Sequence, residues 1–166
     1  MRYYLVVANQ TLGHPQLIDT IVACTEAEPC RFHLLAPATQ SHAYDHTRWT
    51  RAEATAIARC RLEATLARLK RLGLAVSGEV GDPSPIMAID EVLNRTRFDA
   101  LILSTLPVGA SQWLRRGLPQ RIERLFHLPV RLVVCGARGG EVDLPRAEPA
   151  GPPLERVPRA TVDVGS

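Results

Sequence analysis

The stretch GEVGDPSP at residues 78–85 decides the predicted fold of this chain, together with ALILS at residues 100–104. It predicts the end of a strand followed by a helix, with Asp82 as the helix N-cap and Pro83 at the first helical position. A proline suits that position because the N–H that it lacks would be unbonded there anyway. Apolar residues then recur at the spacing of one helix face, at Ile86, Ile89, Val92 and Leu93. Strand, helix and strand together occupy about 27 residues, the length of a βαβ unit.

The rest of the chain repeats this alternation. Further apolar runs of strand length lie at Tyr3–Ala8, Arg31–Ala36, Leu74–Val80 and Leu128–Cys135. Helices are predicted to begin at Pro15, at the capping box Thr50–Glu53 and at Leu118-Pro119, and Gly73 is expected to end the second helix. The pattern β-α-β-α-β-α-β-α-β predicts an α/β fold, an open doubly wound sheet of five parallel strands with helices on both faces.

The composition limits the classes of function. The chain has 166 residues, 46% of them hydrophobic and 22% charged, as in an ordinary globular protein. Its net charge of +3 is too small to indicate nucleic-acid binding, and no apolar run is long enough for a membrane helix. We therefore expect a cytoplasmic protein. Residues 1–135 are predicted to form the domain, and residues 136–166, rich in proline and glycine, a disordered C-terminal tail.

No pattern in the sequence strongly indicates catalysis or a metal. The four cysteines match no zinc or C-x-x-C spacing, which favours small core residues. His42, Asp45 and His46 would share a face if their loop were helical, but a polar flap without a metal is the favoured interpretation. Gly109-Ala110-Ser111 lacks the second glycine of a serine nucleophile elbow. We predict no metal, and a non-enzymatic role over an enzymatic one.

Topology predicts where a ligand would bind. In an open α/β sheet, ligands bind beyond the carboxyl ends of the strands, at the point where the strand order reverses. Four loops meet at that edge: Asn9–Gly13, Pro37–Trp49, Gly81–Ser84 and Thr105–Gly117. Helix N-termini at the same edge present free N–H groups, which suit an anion such as a phosphate.

Several segments resemble the universal stress protein family, from Tyr3 to about Val134. They are VVAN at residues 6–9, GDP at residues 81–83, FDALILST at residues 98–105 and RIERLFHLPVRLVV at residues 121–134. The resemblance implies a Rossmann-like sheet of the adenine-nucleotide alpha hydrolase type. It also implies a homodimer formed through the last strand, at Leu132, Val133 and Val134.

The family includes members that bind ATP and members that do not. Binding members carry an aspartate after the first strand, where this chain has Asn9, and a glycine loop G-x-x-G-x(9)-G-[S/T] after the fourth strand. Here no Gly-Ser or Gly-Thr pair precedes the last helix, and Pro119 removes one N–H. Arg115 and Arg116 are hypothesised to replace the lost amide contacts.

The candidate nucleotide-binding residues combine these loops with the family pattern. They are Ala8, Asn9, Gln10, Thr11, Ala36, Gly81, Asp82, Ser104, Thr105, Gly109, Ser111, Arg115, Arg116, Gly117 and Gln120. The leading hypothesis is a stress-response or regulatory protein that binds a ligand or partner and has a degenerate nucleotide site. The alternative is a protein that binds ATP or another adenine nucleotide, with at most slow ATPase activity. A third hypothesis is an interaction module whose arginine-bearing second helix docks an acidic partner.

Overall fold

A computed structural model describes residues 1–40, 49–107 and 109–136, and Met1–Gly136 forms one compact unit. The strands are β1 (Arg2–Val7), β2 (Cys30–Pro37), β3 (Val76–Gly81), β4 (Ala100–Thr105) and β5 (Val130–Val134). The helices are α1 (Pro15–Ala27), α2 (Arg51–Arg71), α3 (Pro85–Arg95), α4 (Gln112–Arg115) and α5 (Leu118–Phe126). The H-x-x-D-H group at residues 42–46 and the tail beyond Gly136 lie outside the described residues, so the predictions made for them stay predictions.

The five strands form one parallel sheet in the order β3-β2-β1-β4-β5. The order reverses at β1, whose neighbours are β2 on one side and β4 on the other. This confirms the predicted open, doubly wound α/β fold. β3 and β5 are the edge strands of the described sheet.

The core has two layers because alternate strand residues point to opposite faces. One layer packs α1 and α2 against the sheet, and includes Val6, Leu34 and Ile102 from the strands. The other packs α3 and α5 against the opposite face, and includes Leu5 and Leu103. The helices therefore cover both faces of the sheet, as the apolar strand patterns predicted.

The predicted start of α3 is wrong by two residues. The helix begins at Pro85, and its N-cap is Ser84, not Asp82. Each residue that precedes a proline is biased away from helical backbone, which applies to both Asp82 and Ser84. Ser84 is extended, with φ −82° and ψ 118°, and Asp82 Oδ1 instead accepts a hydrogen bond from the Ser84 N–H at 2.8 Å. Pro85, rather than Pro83, therefore occupies the first helical position.

The second helix begins and ends where the sequence predicted. Thr50 and Glu53 form the capping box, and Gly73 has a positive φ of 79° after the last turn. The Gly73 N–H bonds to the Lys70 carbonyl and the Leu74 N–H to the Leu69 carbonyl. This termination uses the Leu74 N–H, so β3 begins at Val76 and not at Leu74.

Three other predictions are corrected by the structure. The segment predicted as an irregular loop contains the short helix α4, because the Ser111 hydroxyl accepts a hydrogen bond from the Leu114 N–H. The remaining strands differ from the predicted bounds by one or two residues, with β5 spanning Val130–Val134. Cys24, Cys30 and Cys135 are buried, as predicted, whereas Cys60 is exposed on α2.

Candidate functional site

A pocket lies where the strand order reverses, beyond the carboxyl ends of β1 and β4. Its volume is about 110 Å³. Polar side chains without formal charge dominate the lining: Asn9, Gln10, Thr11, Thr39, Gln40, Ser104, Thr105, Ser111 and Gln112. Leu106, Ala110 and Trp113 complete it. The pocket therefore occupies the position at which open α/β sheets bind ligands.

A hydroxyl network joins the two strands beneath the pocket. Thr11 Oγ1 donates to the Ser104 carbonyl at 3.1 Å and accepts from Ser104 Oγ at 2.7 Å. Ser104 Oγ also lies 3.3 Å from Cys135 Sγ. Burial raises the pKa of the Cys135 thiol above its ordinary value, and hydrogen bonds with Ser104 and the Leu17 backbone oppose this shift. A thiol with a raised pKa stays neutral at neutral pH, so this network brings no charge to the pocket.

Asn9 is buried and held at both ends of its amide. Its Nδ2 donates to the Pro37 carbonyl at 2.8 Å, and its Oδ1 accepts from Arg61 Nη1 at 2.8 Å. Burial lowers the pKa of the Arg61 guanidinium from its ordinary value, but an arginine stays charged in proteins. Three elements, β1, β2 and α2, thus fix the orientation of the Asn9 side chain.

Thr105 contributes the unpaired group of the pocket. Its Oγ1 is buried and has no hydrogen-bond partner among the described residues. The residue is 3% exposed, while its carbonyl accepts from the Cys135 N–H at 2.7 Å. An unpaired buried hydroxyl costs free energy, which a ligand that bonds to it would recover.

The outer wall of the pocket comes from the segment around α4. Ser111 is buried and caps that helix, whereas Trp113 is half-buried and also packs against the core layer of α3 and α5. Arg115 is exposed, and its Nη2 donates to the Gly109 carbonyl at 2.6 Å. The arginine thus ties the loop to the helix and is not among the pocket-lining residues.

The chemistry of the pocket follows from its lining. No lysine, arginine, aspartate or glutamate of the described chain lines it. The hydroxyls and amides both donate and accept hydrogen bonds, and Trp113 offers an aromatic surface. Such a lining suits a neutral ligand with several hydrogen-bonding groups, whereas a polyphosphate would find no charged side chain to pair with.

The pocket unites six of the predicted nucleotide-binding residues: Asn9, Gln10, Thr11, Ser104, Thr105 and Ser111. The others are not among the lining residues. Ala8 and Ala36 are core residues, and an added Cβ on Gly81 would lie 2.7 Å from Ala88 Cβ. Asp82 accepts a hydrogen bond from the Ser84 N–H, and the Gly109 carbonyl accepts one from Arg115. Arg116 is the C-cap of α4. Gly117 is the left-handed N-cap of α5, and Gln120 is exposed on that helix.

Sequence reasoning missed Arg61 and part of the lining. Thr39 and Gln40 belong to the loop Pro37–Trp49, which was predicted to lie at this edge, but neither was among the candidate residues. Arg61 lies on the charged side of α2, and nothing in the periodicity distinguishes it from the exposed arginines. Trp113 packs against the core layer of α3 and α5 and also lines the pocket, and it was not among the candidate residues.

Two further kinds of feature, a membrane span and a metal cluster, have no counterpart in the described residues. No helix there is long and apolar enough to cross a membrane. The same residues contain no group of three or more histidine, cysteine, aspartate or glutamate side chains placed to hold a metal ion.

Comparison with known proteins gives a likeness in structure. No family model matches the chain, and no curated protein sequence matches it significantly. A universal stress protein family member from Burkholderia pseudomallei superposes with a TM-score of 0.57 at 11% identity, covering 80% of this chain and 95% of its own. A family member from Arabidopsis thaliana, solved with AMP bound, gives a TM-score of 0.57 at 14% identity, covering 82% and 94%. At these identities the likeness shows that the chain shares the fold of universal stress proteins.

Proposed function

We propose that this protein is a regulatory protein of the universal stress protein type that binds the nucleoside part of an adenine nucleotide. The observation that carries this proposal is the neutral, hydrogen-bonding pocket at the reversal point of the sheet. The AMP in the Arabidopsis structure supports the same ligand class. A role in the stress response of the cytoplasm is part of the proposal and rests on the family likeness.

The size and charge of the pocket favour nucleoside recognition over phosphate recognition. At about 110 Å³ it is smaller than the roughly 300 Å³ of small pockets for drug-sized ligands, so it would hold one ring of a nucleotide. Thr105 and Asn9 would offer hydrogen bonds to a base or a ribose hydroxyl. The phosphates would extend toward solvent, where no charged side chain of the described pocket lining meets them.

Fluorescence titration tests this proposal, because Trp113 lines the pocket. In a Trp49→Phe background, adenosine and AMP are expected to change the emission with Kd values within about threefold of each other, and ATP is not expected to bind more tightly. Mass spectrometry of small molecules released from freshly purified, denatured protein would identify any co-purified nucleotide. No response to millimolar adenosine or AMP would contradict the proposal.

The alternative function is binding of ATP with at most slow hydrolysis. The AMP of the Arabidopsis structure is a charged nucleotide, which favours this alternative. It requires Arg115 and Arg116 to contact the phosphates. The double variant Arg115→Ala/Arg116→Ala distinguishes the two: unchanged affinity for adenosine and ATP supports nucleoside recognition, whereas a tenfold loss for ATP alone supports the alternative.

A further inference from the structure

A second cavity lies on the sheet face that packs against α3, away from the pocket at the carboxyl edge. Its volume is about 350 Å³, within the range of sites for small molecules. Its lining includes the aromatic rings of Tyr3 and Phe98 and a polar group that we call the Ser77 cluster: Ser77, His33, Glu79 and Arg95. Nothing in the proposed nucleoside site uses these residues.

The register of the sheet builds the Ser77 cluster. In the parallel pairing of β2 with β3, His33 lies directly opposite Ser77, and Glu79 is two residues further along β3 on the same face. Arg95 reaches them from the last turn of α3. His33 and Arg95 are distant in sequence from the Ser77–Glu79 pair, which explains why no linear motif marks the cluster.

Hydrogen bonds connect the cluster in the order of a nucleophile, a base and an orienting acid. Ser77 Oγ lies 2.8 Å from His33 Nδ1, and His33 Nε2 lies 3.3 Å from Glu79 Oε1. A carboxylate can only accept, so Nε2 must carry the proton that points to Glu79. The neutral ring then has its lone pair on Nδ1, where it accepts the hydrogen of the Ser77 hydroxyl.

Exposure fits this arrangement. Ser77 is exposed and therefore accessible to a substrate, while the His33 side chain is only 17% exposed and packs near Phe98, with ring centroids 6.1 Å apart. Arg95 Nη2 contacts Glu79 Oε1 at 2.8 Å, an ion pair that places the guanidinium at the cavity. The carboxylate is thus held by a second partner, which fixes its position relative to the imidazole.

We propose that the Ser77 cluster is an acyl-transfer site for small carboxylic esters. Ser77 Oγ attacks the carbonyl carbon while His33 Nδ1 takes the hydroxyl proton, and the alcohol leaves with that proton as the C–O bond of the ester breaks. Water then attacks the acyl-serine, giving up a proton through His33, and releases the carboxylic acid and free Ser77. Glu79 is a positioning residue that holds the reactive tautomer of His33.

Two groups in the cavity lining would be available to stabilise the oxyanion of this reaction. Arg95 supplies a cation within the cavity lining. The Gly78 N–H is the second group. On β3 the odd-numbered residues bond to β2, since the Phe32 N–H bonds to the Ala75 carbonyl and the Ala38 N–H bonds to the Gly81 carbonyl. Gly78 therefore directs its N–H to the free edge of the sheet. The rings of Tyr3 and Phe98 favour an apolar or aromatic ester.

Covalent labelling of the full chain tests the proposal. A reporter-linked fluorophosphonate is expected to form one adduct per chain of the wild-type protein. Peptide mass spectrometry should locate this adduct on Ser77. Ser77→Ala should abolish the adduct, whereas Ser84→Ala, an exposed serine without a side-chain cap bond, should retain it. With p-nitrophenyl acetate, a Cys60→Ala background removes the exposed thiol, and an initial burst of about one equivalent of nitrophenolate is expected.

Two further variants separate catalysis from structure. His33→Gln should lower the labelling rate by about 100-fold or more, the usual contribution of a general base. Glu79→Ala should lower it similarly because His33 Nε2 loses the acceptor that keeps the proton on that nitrogen, while Glu79→Asp should restore part of the rate. Absence of an adduct on wild-type Ser77, or an equal rate in folded His33→Gln, would overturn the proposal.

Discussion

At the scale of single residues, Asn9 shows how neighbouring groups dictate a side chain. The family resemblance implies an aspartate at this position in nucleotide-binding members, but here the amide donates to the Pro37 carbonyl and accepts from Arg61. An aspartate would keep the bond to Arg61 but would place a carboxylate oxygen against the Pro37 carbonyl. The buried Pro37 carbonyl therefore favours an amide over a carboxylate at this position.

Thr105 gives the residue-scale prediction. Because its buried hydroxyl has no partner among the described residues, Thr105→Val should leave the free energy of unfolding unchanged or raise it by up to about 1 kcal/mol. The same change should weaken adenosine binding by about tenfold, since a ligand would lose one hydrogen bond. Urea denaturation and the Trp113 titration measure the two effects.

Thr11→Val is the matched control for that prediction. The Thr11 hydroxyl both donates to the Ser104 carbonyl and accepts from Ser104 Oγ. Its removal should lower the free energy of unfolding by about 1–3 kcal/mol, because buried polar groups lose their partners. Equal destabilisation by the two substitutions would show that Thr105 Oγ1 is paired in the folded protein and would contradict the prediction.

At the scale of elements, helix starts were predictable where one signal dominates and misplaced where two compete. The Thr50–Glu53 capping box marks the start of α2 without ambiguity. Before α3, however, Asp82, Pro83, Ser84 and Pro85 offer two possible starts in succession. The second proline decides, because it keeps Ser84 extended and leaves Asp82 to form a turn. The Asp82-Pro83 pair alone gives no indication of the backbone restriction that Pro85 places on Ser84.

The capping box also gives the element-scale prediction. Hydrogen bonds from the backbone and side chain of Thr50 lower the pKa of Glu53 in the folded protein. A lowered folded pKa stabilises the fold above the unfolded value of about 4.3, and this contribution is lost as the pH falls through the folded pKa. The difference in stability between wild type and Glu53→Gln should therefore shrink as the pH falls below about 4.3.

Urea denaturation at pH 6 and pH 3 measures this difference. Glu63→Gln is the matched control, because it removes a carboxylate from the exposed face of the same helix without touching the cap. A wild-type advantage over Glu53→Gln that is the same at both pH values would show that the cap bonds do not depend on the charge of Glu53.

At the scale of the whole molecule, the alternation of apolar runs predicted the architecture. Contacts between side chains of different helices and strands were only partly predictable. Asn9 and Ser104 were found because they end strands, and strand ends meet at one edge. Arg61 and the Ser77–His33 pair were not, because each contact depends on a helix rotation or a strand register that the linear pattern does not specify. Topology is encoded in periodicity, whereas these contacts follow from three-dimensional packing.

The oligomeric state is the prediction that belongs to the whole molecule. Leu132 and Val134 are 43% and 40% exposed on the edge strand β5, where unpaired backbone groups can bond to a second chain. We expect a homodimer through this edge, with twice the chain mass of 18.2 kDa in light scattering.

Leu132→Lys should convert this dimer to a monomer, because the dimer would bury the added charge. Leu72→Lys is the control, because Leu72 is 54% exposed at the end of α2, and it should remain dimeric. A wild-type monomer at about 100 μM, or equal dissociation by both variants, would exclude this edge as the interface.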